Sequence, residues 1–328
     1  MIRVLLLGAT GTIGQAVAQA LVECGYHVIC PVRKTAGFKG GLGEDRIQTL
    51  LPGTDLRFLV NDLQVFTSAE SLKQNQIEVI VSCLASRTGA PADAWKVDYG
   101  MHSDILRQAC QASVRQFVLL SAICVQKPLL AFQYAKLAFE RELIESGLCY
   151  SIVRPTAFFK SLSGQLKRLR EGRPFLLFGD GRLTACKPIS DQDLAGYMAS
   201  CISDSDKHNA VLPVGGPGNA ITPLQQGEYL FKQLGITPHY RHVPVTLMDL
   251  IIQSLSLAGY LIPSLRDKSE LAKIGRYYAT ESMLLWDEAS ASYDAEATPS
   301  YGRQTLFEYY DRLISGKEQV KLGDHAMF

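Results

Sequence analysis

Gly8, Gly11 and Gly14 lie three residues apart in the stretch Gly8-Ala9-Thr10-Gly11-Thr12-Ile13-Gly14. That spacing suits one task, holding a pyrophosphate against backbone N–H groups at the start of a helix. Gly8 lets the chain turn sharply, Gly11 lets the backbone approach the phosphates, and Gly14 lets the helix pack close to the strand before it. Thr10, Thr12 and Ile13 complete the cofactor contacts of the loop. The pattern is GxxGxxG, one residue longer in its first interval than the commonest GxGxxG. A tight turn with no ligand would use the same glycines, so the neighbouring elements decide between the two.

Arg33, helped by Lys34, follows the next apolar run. A dinucleotide fold meets the adenosine ribose there, and an acid would bind a free 2′-hydroxyl whereas an arginine accommodates a 2′-phosphate. Arg33 therefore selects NADPH as the cofactor, against the plainer alternative of a solvated surface charge. Asp62 and Leu63 end a third run where an adenine would rest, although Asp62 serves equally well as a helix cap.

The elements that must position these residues are legible as periodicity. Residues 4–7 form a short continuous apolar run, and after Gly14 the apolar residues Val17, Ala20, Leu21 and Cys24 recur at helical spacing. A strand, a glycine turn and a helix in that order is the context a phosphate loop requires. Further strands are expected at 28–32, 56–60, 79–83, 117–120 and 150–156, with a helix from about 94 to 112. Alternation of strands and helices predicts an α/β protein, a Rossmann-like doubly wound parallel sheet whose ligands lie beyond the carboxyl ends of the strands. Leu84 and Ala85 follow the fourth strand, Ser121 the fifth, and Pro155, Thr156 and Phe158 the sixth, so all should converge on the cofactor.

The NADPH-binding domain is expected over 1–160. Residues 161–328 read as a smaller, mainly substrate-binding region with segments returning to the Rossmann sheet. Its first part carries a basic stretch, Lys160, Lys167, Arg168, Arg170 and Arg173, which suits a solvated helix face, a carboxylate-bearing substrate or an anionic membrane surface. Phe158 and Phe159 stand at the presumed ligand mouth. The apolar stretch 245–265 allows burial, a greasy pocket or a partner surface. Tyr277 and Tyr278 add aromatic area further on.

Composition narrows the classes. With 33 basic and 32 acidic residues the net charge is +1, which gives no global attraction to nucleic acid. Eight cysteines show no CxxC pair, so they read as small core residues of a reducing compartment, and no metal is expected. No signal segment precedes the first strand and no charge-free run of eighteen apolar residues occurs, so a cytoplasmic location is expected, with peripheral contact to a membrane as its variant.

Lys136 lies on a helical stretch one turn beyond Phe132, with Ser121 at the end of the fifth strand. This arrangement resembles the short-chain dehydrogenase/reductase superfamily, which carries Tyr-x-x-x-Lys on this helix and a serine at this strand end. Phe132 replaces the tyrosine, and a phenyl ring has no proton to give. Tyr134 is two residues along the helix and points to another face. The departure marks an atypical, NmrA-like member.

Larger blocks are more specific: Leu120-Ser-Ala-Ile-Cys-Val-Gln-Lys-Pro-Leu129, Ser151-Ile-Val-Arg-Pro-Thr-Ala-Phe-Phe-Lys160, Phe178-Gly-Asp-Gly181, Ala185-Cys-Lys-Pro-Ile-Ser190 and Glu296-Ala-Thr-Pro-Ser-Tyr-Gly302. With the glycine loop they closely resemble the NADPH-dependent divinyl chlorophyllide a 8-vinyl reductase family. The resemblance implies reduction of the 8-vinyl group of a divinyl chlorophyllide or protochlorophyllide to ethyl, in chlorophyll or bacteriochlorophyll synthesis, with a tetrapyrrole as the small-molecule partner. A vinyl group conjugated to the macrocycle accepts hydride at its outer carbon, and the inner carbon then takes a proton, which does not require the missing tyrosine. Lys136 is expected to bind the nicotinamide ribose with Ser121 lining the site. The proton would come from Lys136, Tyr134 or water. Phe158, Phe159, Lys160, Tyr277 and Tyr278 are expected to meet the pigment. Two other classes fit the same loop, an NmrA-like redox sensor without turnover and an assembly factor of a membrane complex. The oligomeric state is left open.

Overall fold

Unbroken Val, Leu and Ile runs need a sheet buried on both faces, and the chain provides one. The computed structural model describes residues 1–34, 43–59, 63–260, 262 and 264–318. Its central sheet has seven strands in the order β3-β2-β1-β4-β5-β6-β8. They are β1 (Arg3–Leu7), β2 (His27–Arg33), β3 (Asp55–Leu59), β4 (Val79–Ser82), β5 (Gln116–Leu120), β6 (Cys149–Pro155) and β8 (Ala210–Val214). Every neighbouring pair is parallel.

Alternate residues of each strand enter opposite cores. Val4 and Leu6 belong to the cluster with Val17 and Leu21 of α1 (Thr12–Glu23), whereas Leu5 and Leu7 join Ile105, Phe139 and Leu143 on the other face. The strand order reverses between β1 and β4, and that switch point opens the crevice where a doubly wound sheet binds its ligand. Pro31 is tolerated inside β2 because the ladder to β1 ends at the Leu5–Ile29 pair, before a missing N–H would matter.

The helix expected at 94–112 is built in three pieces. Pro91–Ala94 is α-helical, Trp95–Met101 widens to a π-helical turn, and His102–Gln111 resumes the α-helix. Such widenings accompany functional sites, and this one carries the buried Asp98.

Beyond residue 160 the chain makes two small sheets, β7 (Phe175–Phe178) with β9 (Tyr240–Val243), and the hairpin β10 (Leu285–Asp287) with β11 (Ser292–Asp294). Phe175, Leu177, Leu230, Phe231 and Tyr310 form a separate apolar cluster there. The helix Asp191–Ser200, capped by the Ser190 hydroxyl, and β8 return to the main sheet. Of the readings for 245–265, burial is overturned. The helix Val245–Ala258 has no buried residue, and Leu250 and Leu257 are 60% and 72% exposed. Nearly all-round apolarity reported composition, not packing.

Candidate cofactor and reduction site

The glycine loop has the shape its spacing requires. Gly8 adopts a φ of +77°, and a Cβ there would stand 2.7 Å from the Cys83 carbonyl oxygen, so a side chain would be strained and would collide with β4's exit. A Cβ on Gly14 would strike the Gly8 carbonyl. The Gly11 N–H donates to the Gly8 oxygen at 3.1 Å, and Gln15 ties the Thr10 carbonyl through its side-chain amide at 2.9 Å. Gly11 is the N-cap of α1 and offers no side-chain cap, which leaves the first-turn N–H groups facing the crevice. Ile13 packs into the core beneath. A dinucleotide pyrophosphate fits this cradle, because Gly11 places no side chain beside the uncapped first-turn N–H groups.

A cation approaches the cradle from across the crevice. The Lys160 ammonium donates to the Thr12 hydroxyl at 2.7 Å. Asp191 stands close enough for Lys160 to oppose the rise that burial imposes on its carboxyl pKa. Arg33 ends β2 exposed, at the same rim. Leu84 is half-buried and Ala85 exposed after β4, and Leu63 begins a short helix. Asp62 lies outside the described residues.

Lys136 sits on the helix Ala131–Glu145, 12% exposed, with its ammonium 3.0 Å from the wholly buried Asp98 carboxylate. Asp98 also accepts the Ser86 N–H at 3.3 Å. Next to this pair His102 is buried, its Nδ1 2.8 Å from the Val97 carbonyl and its Nε2 2.8 Å from the Ser82 hydroxyl. A carbonyl only accepts, so Nδ1 carries the proton and Nε2 accepts from Ser82. Burial first, and the Lys136 charge second, lower the His102 pKa to about 4, so it is neutral at physiological pH.

The remaining expected residues divide. The Ser121 hydroxyl, buried at the end of β5, donates to Glu140, which Arg154 also pairs. Its proton is committed to that carboxylate. Pro155 and Thr156 are buried, and the Thr156 hydroxyl donates to the Lys187 carbonyl. Phe158 packs on the sheet core and bridges to Ile189. Phe159, expected at a ligand mouth, is instead buried in the cluster with Tyr309, ring centroids 5.4 Å apart. Tyr134 is half-exposed and its hydroxyl donates to the Pro128 carbonyl at 3.0 Å, away from Lys136's partner.

Tyr277 and Tyr278 come from the helix Ser264–Thr280, which folds back over the exit of β5. The Tyr277 hydroxyl lies 2.9 Å from the Cys124 carbonyl, and the Tyr278 hydroxyl 4.0 Å from the Cys124 sulfur. Burial pushes the Tyr278 pKa well above its usual value, so the phenol keeps its proton. Both rings pack with Phe132, Ala122 and Leu130. Burial likewise raises the thiols of Cys30, Cys83 and Cys186 to about 12, which makes them inert core groups. Among the described residues no cluster of His, Cys, Asp and Glu is arranged to hold a metal.

Sequence reasoning missed Asp98, His102, Glu140 and Arg154. Asp98 in an otherwise helical stretch was the available signal, since an acid on a buried face needs a counter-charge.

The sheet order, the glycine cradle at the β1 exit and a lysine without its tyrosine define an NAD(P)H-binding protein of the atypical short-chain dehydrogenase/reductase class. Residues 8–205 match the family described as NAD(P)H-binding. The fold is shared with the NADPH-dependent quinone oxidoreductase QOR2 of Escherichia coli solved with NADPH, at TM-score 0.63 and 20% identity over 95% of this chain and 99% of that one. The chain is 47% identical to the chloroplastic divinyl chlorophyllide a 8-vinyl-reductase of Cucumis sativus, over 99% of this chain and 79% of that protein. Its identity to the Arabidopsis thaliana protein of the same name is 45%, over 98% and 79%. The chain belongs to the divinyl chlorophyllide a 8-vinyl-reductase family.

Proposed function

We propose that this protein reduces the 8-vinyl group of divinyl chlorophyllide a, or of divinyl protochlorophyllide a, to ethyl with NADPH, in chlorophyll or bacteriochlorophyll biosynthesis. The observation that carries the reading is identity of 45–47% to reductases of that name along nearly the whole chain. When bound, NADPH supplies the hydride. The first-turn N–H groups of α1 and the Lys160 ammonium beside Thr12 hold its pyrophosphate, and Arg33 reads the 2′-phosphate. In this reading Lys160 serves the cofactor and not the pigment.

Lys136 has three donors. Asp98 takes one and fixes the ammonium, and the others turn to the nicotinamide ribose. Ser121, held by Glu140, shapes the wall of the site without giving up a proton. Proton delivery falls to Lys136 or to water, because the Tyr134 hydroxyl is engaged elsewhere and burial makes the Tyr278 phenol a poorer acid. Residues 1–160 act as the cofactor domain and most of 161–328 as the pigment-binding part.

No helix among the described residues is long and apolar enough to cross a membrane. Peripheral contact with a photosynthetic membrane belongs to the same reading and is supported by the exposed Leu250, Leu257 and Tyr260.

Mixing the purified protein with NADPH and divinyl chlorophyllide a tests the function. A blue shift of the Soret band is expected. NADPH binding with no spectral change would point to a redox sensor, and absence of both to an assembly factor.

A further inference from the structure

The helices Val245–Ala258 and Ser264–Thr280 form a hairpin whose polar groups turn inward. Asp249 pairs with Arg276, and the Ser256 hydroxyl lies 2.6 Å from that of Ser269. Leu247, Leu250, Ile251 and Leu257 recur at helical spacing on the opposite side of the first helix. They are 46%, 60%, 46% and 72% exposed, and at the hairpin tip Tyr260 and Ile262 are 80% and 51% exposed. A contiguous exposed apolar ridge of this kind marks a contact surface.

The charge beside the ridge is positive. Asp249 is neutralised by Arg276 and Glu270 by Lys273, between the two helices. Arg241 on β9, just before the hairpin, and Arg266 and Lys268, just past its tip, are exposed. Among the described residues these three have no carboxylate partner. The Arg266 Nε donates to the Gly259 carbonyl at 2.9 Å, which holds that guanidinium at the tip. Between Arg241 and Lys268 the sequence offers only one further acid, Asp267. A second copy laid on the tip about a two-fold axis would set these cations against their own images. A bilayer with anionic headgroups satisfies the ridge and the cations together.

We propose that this hairpin docks the protein on an anionic bilayer surface. Leu247, Leu250, Ile251, Leu257 and Tyr260 enter the boundary between headgroups and acyl chains, and Arg241, Arg266 and Lys268 meet the headgroups. The proposal gives the peripheral contact named above its surface and its lipid chemistry, and it rests on the reductase reading for the pigment's part. Tyr277 and Tyr278 lie on the same helix as Lys268, about 13 Å further along at 1.5 Å per residue. Docking therefore keeps the reduction site beside the bilayer, where an apolar pigment partitions.

The full-length protein is floated with vesicles of phosphatidylcholine, with and without phosphatidylglycerol, as wild type, Leu250→Ser/Leu257→Ser and Arg241→Gln/Lys268→Gln. The wild type should partition on the order of tenfold more strongly onto the anionic vesicles, and high salt should remove that preference. The leucine variant should bind both vesicles more weakly, on the order of tenfold or more. The charge variant should lose most of the preference for phosphatidylglycerol and little else. No flotation of the wild type, equal flotation with both lipids, or a leucine variant that floats like the wild type would overturn the proposal. A wild-type dimer in light scattering that the leucine variant turns into a monomer would overturn it too, giving the ridge to a second copy. Both variants should keep wild-type turnover of detergent-dispersed divinyl chlorophyllide a with NADPH, since none of the four side chains lines the reduction site. Failure of the wild type in that assay would instead overturn the reductase reading, with flotation still deciding the docking surface.

Discussion

Lys136 and Asp98 meet at 3.0 Å with the carboxylate wholly shielded from solvent. The pair joins the helix expected to carry the catalytic lysine to a π-helical turn on the neighbouring segment. A buried pair of this kind adds little net stability, but removing one partner leaves an uncompensated charge.

Lys136→Met is therefore expected to destabilise the fold by about 3–5 kcal/mol, measured by urea unfolding. The double variant Lys136→Met/Asp98→Leu should regain most of that loss. Turnover should stay down on the order of a hundredfold in both, because the nicotinamide ribose loses its anchor. Full turnover in the well-folded double variant would reject the ribose role for Lys136.

Arg33 and Lys160 stand at different parts of the cofactor crevice, so their losses should differ in kind. Arg33→Ala is expected to weaken NADPH on the order of tenfold and NADH hardly at all, read by nicotinamide fluorescence titration. Lys160→Gln, next to Thr12, should weaken both cofactors by a similar factor, since both carry the pyrophosphate. A pigment KM that rises in Lys160→Gln while cofactor affinity holds would return Lys160 to the substrate.

His102 gives the fold a pH dependence of definite sign. Its folded pKa of about 4 lies below the ordinary 6.5, so the unfolded chain binds the extra proton between those values. Stability contributed by the neutral ring is present above pH 6.5 and is lost as pH falls toward 4. Unfolding free energy should drop by roughly 2 kcal/mol from pH 7 to pH 5 on account of this group. His102→Asn should flatten that part of the profile; an unchanged slope would show that other groups cause it.

The sequence by itself determined the sheet and its cofactor loop. Alternating apolar runs and helical repeats are local signals, and the Gly8, Gly11 and Gly14 spacing specifies backbone conformations within seven residues of chain, as the φ of +77° at Gly8 shows. Tertiary structure decided which groups meet. Phe158 and Phe159 are adjacent in sequence, yet one ring packs on the sheet and the other in the C-terminal cluster. Asp98 meets Lys136, Glu140 accepts the Ser121 hydroxyl's hydrogen bond, Lys160 reaches Thr12, and Tyr278 folds back onto Cys124. Periodicity reports that a face is buried, but not which distant acid, cation or ring will lie on it. Those pairings are set when the helices close over the carboxyl ends of the strands, where each buried charge must find its partner.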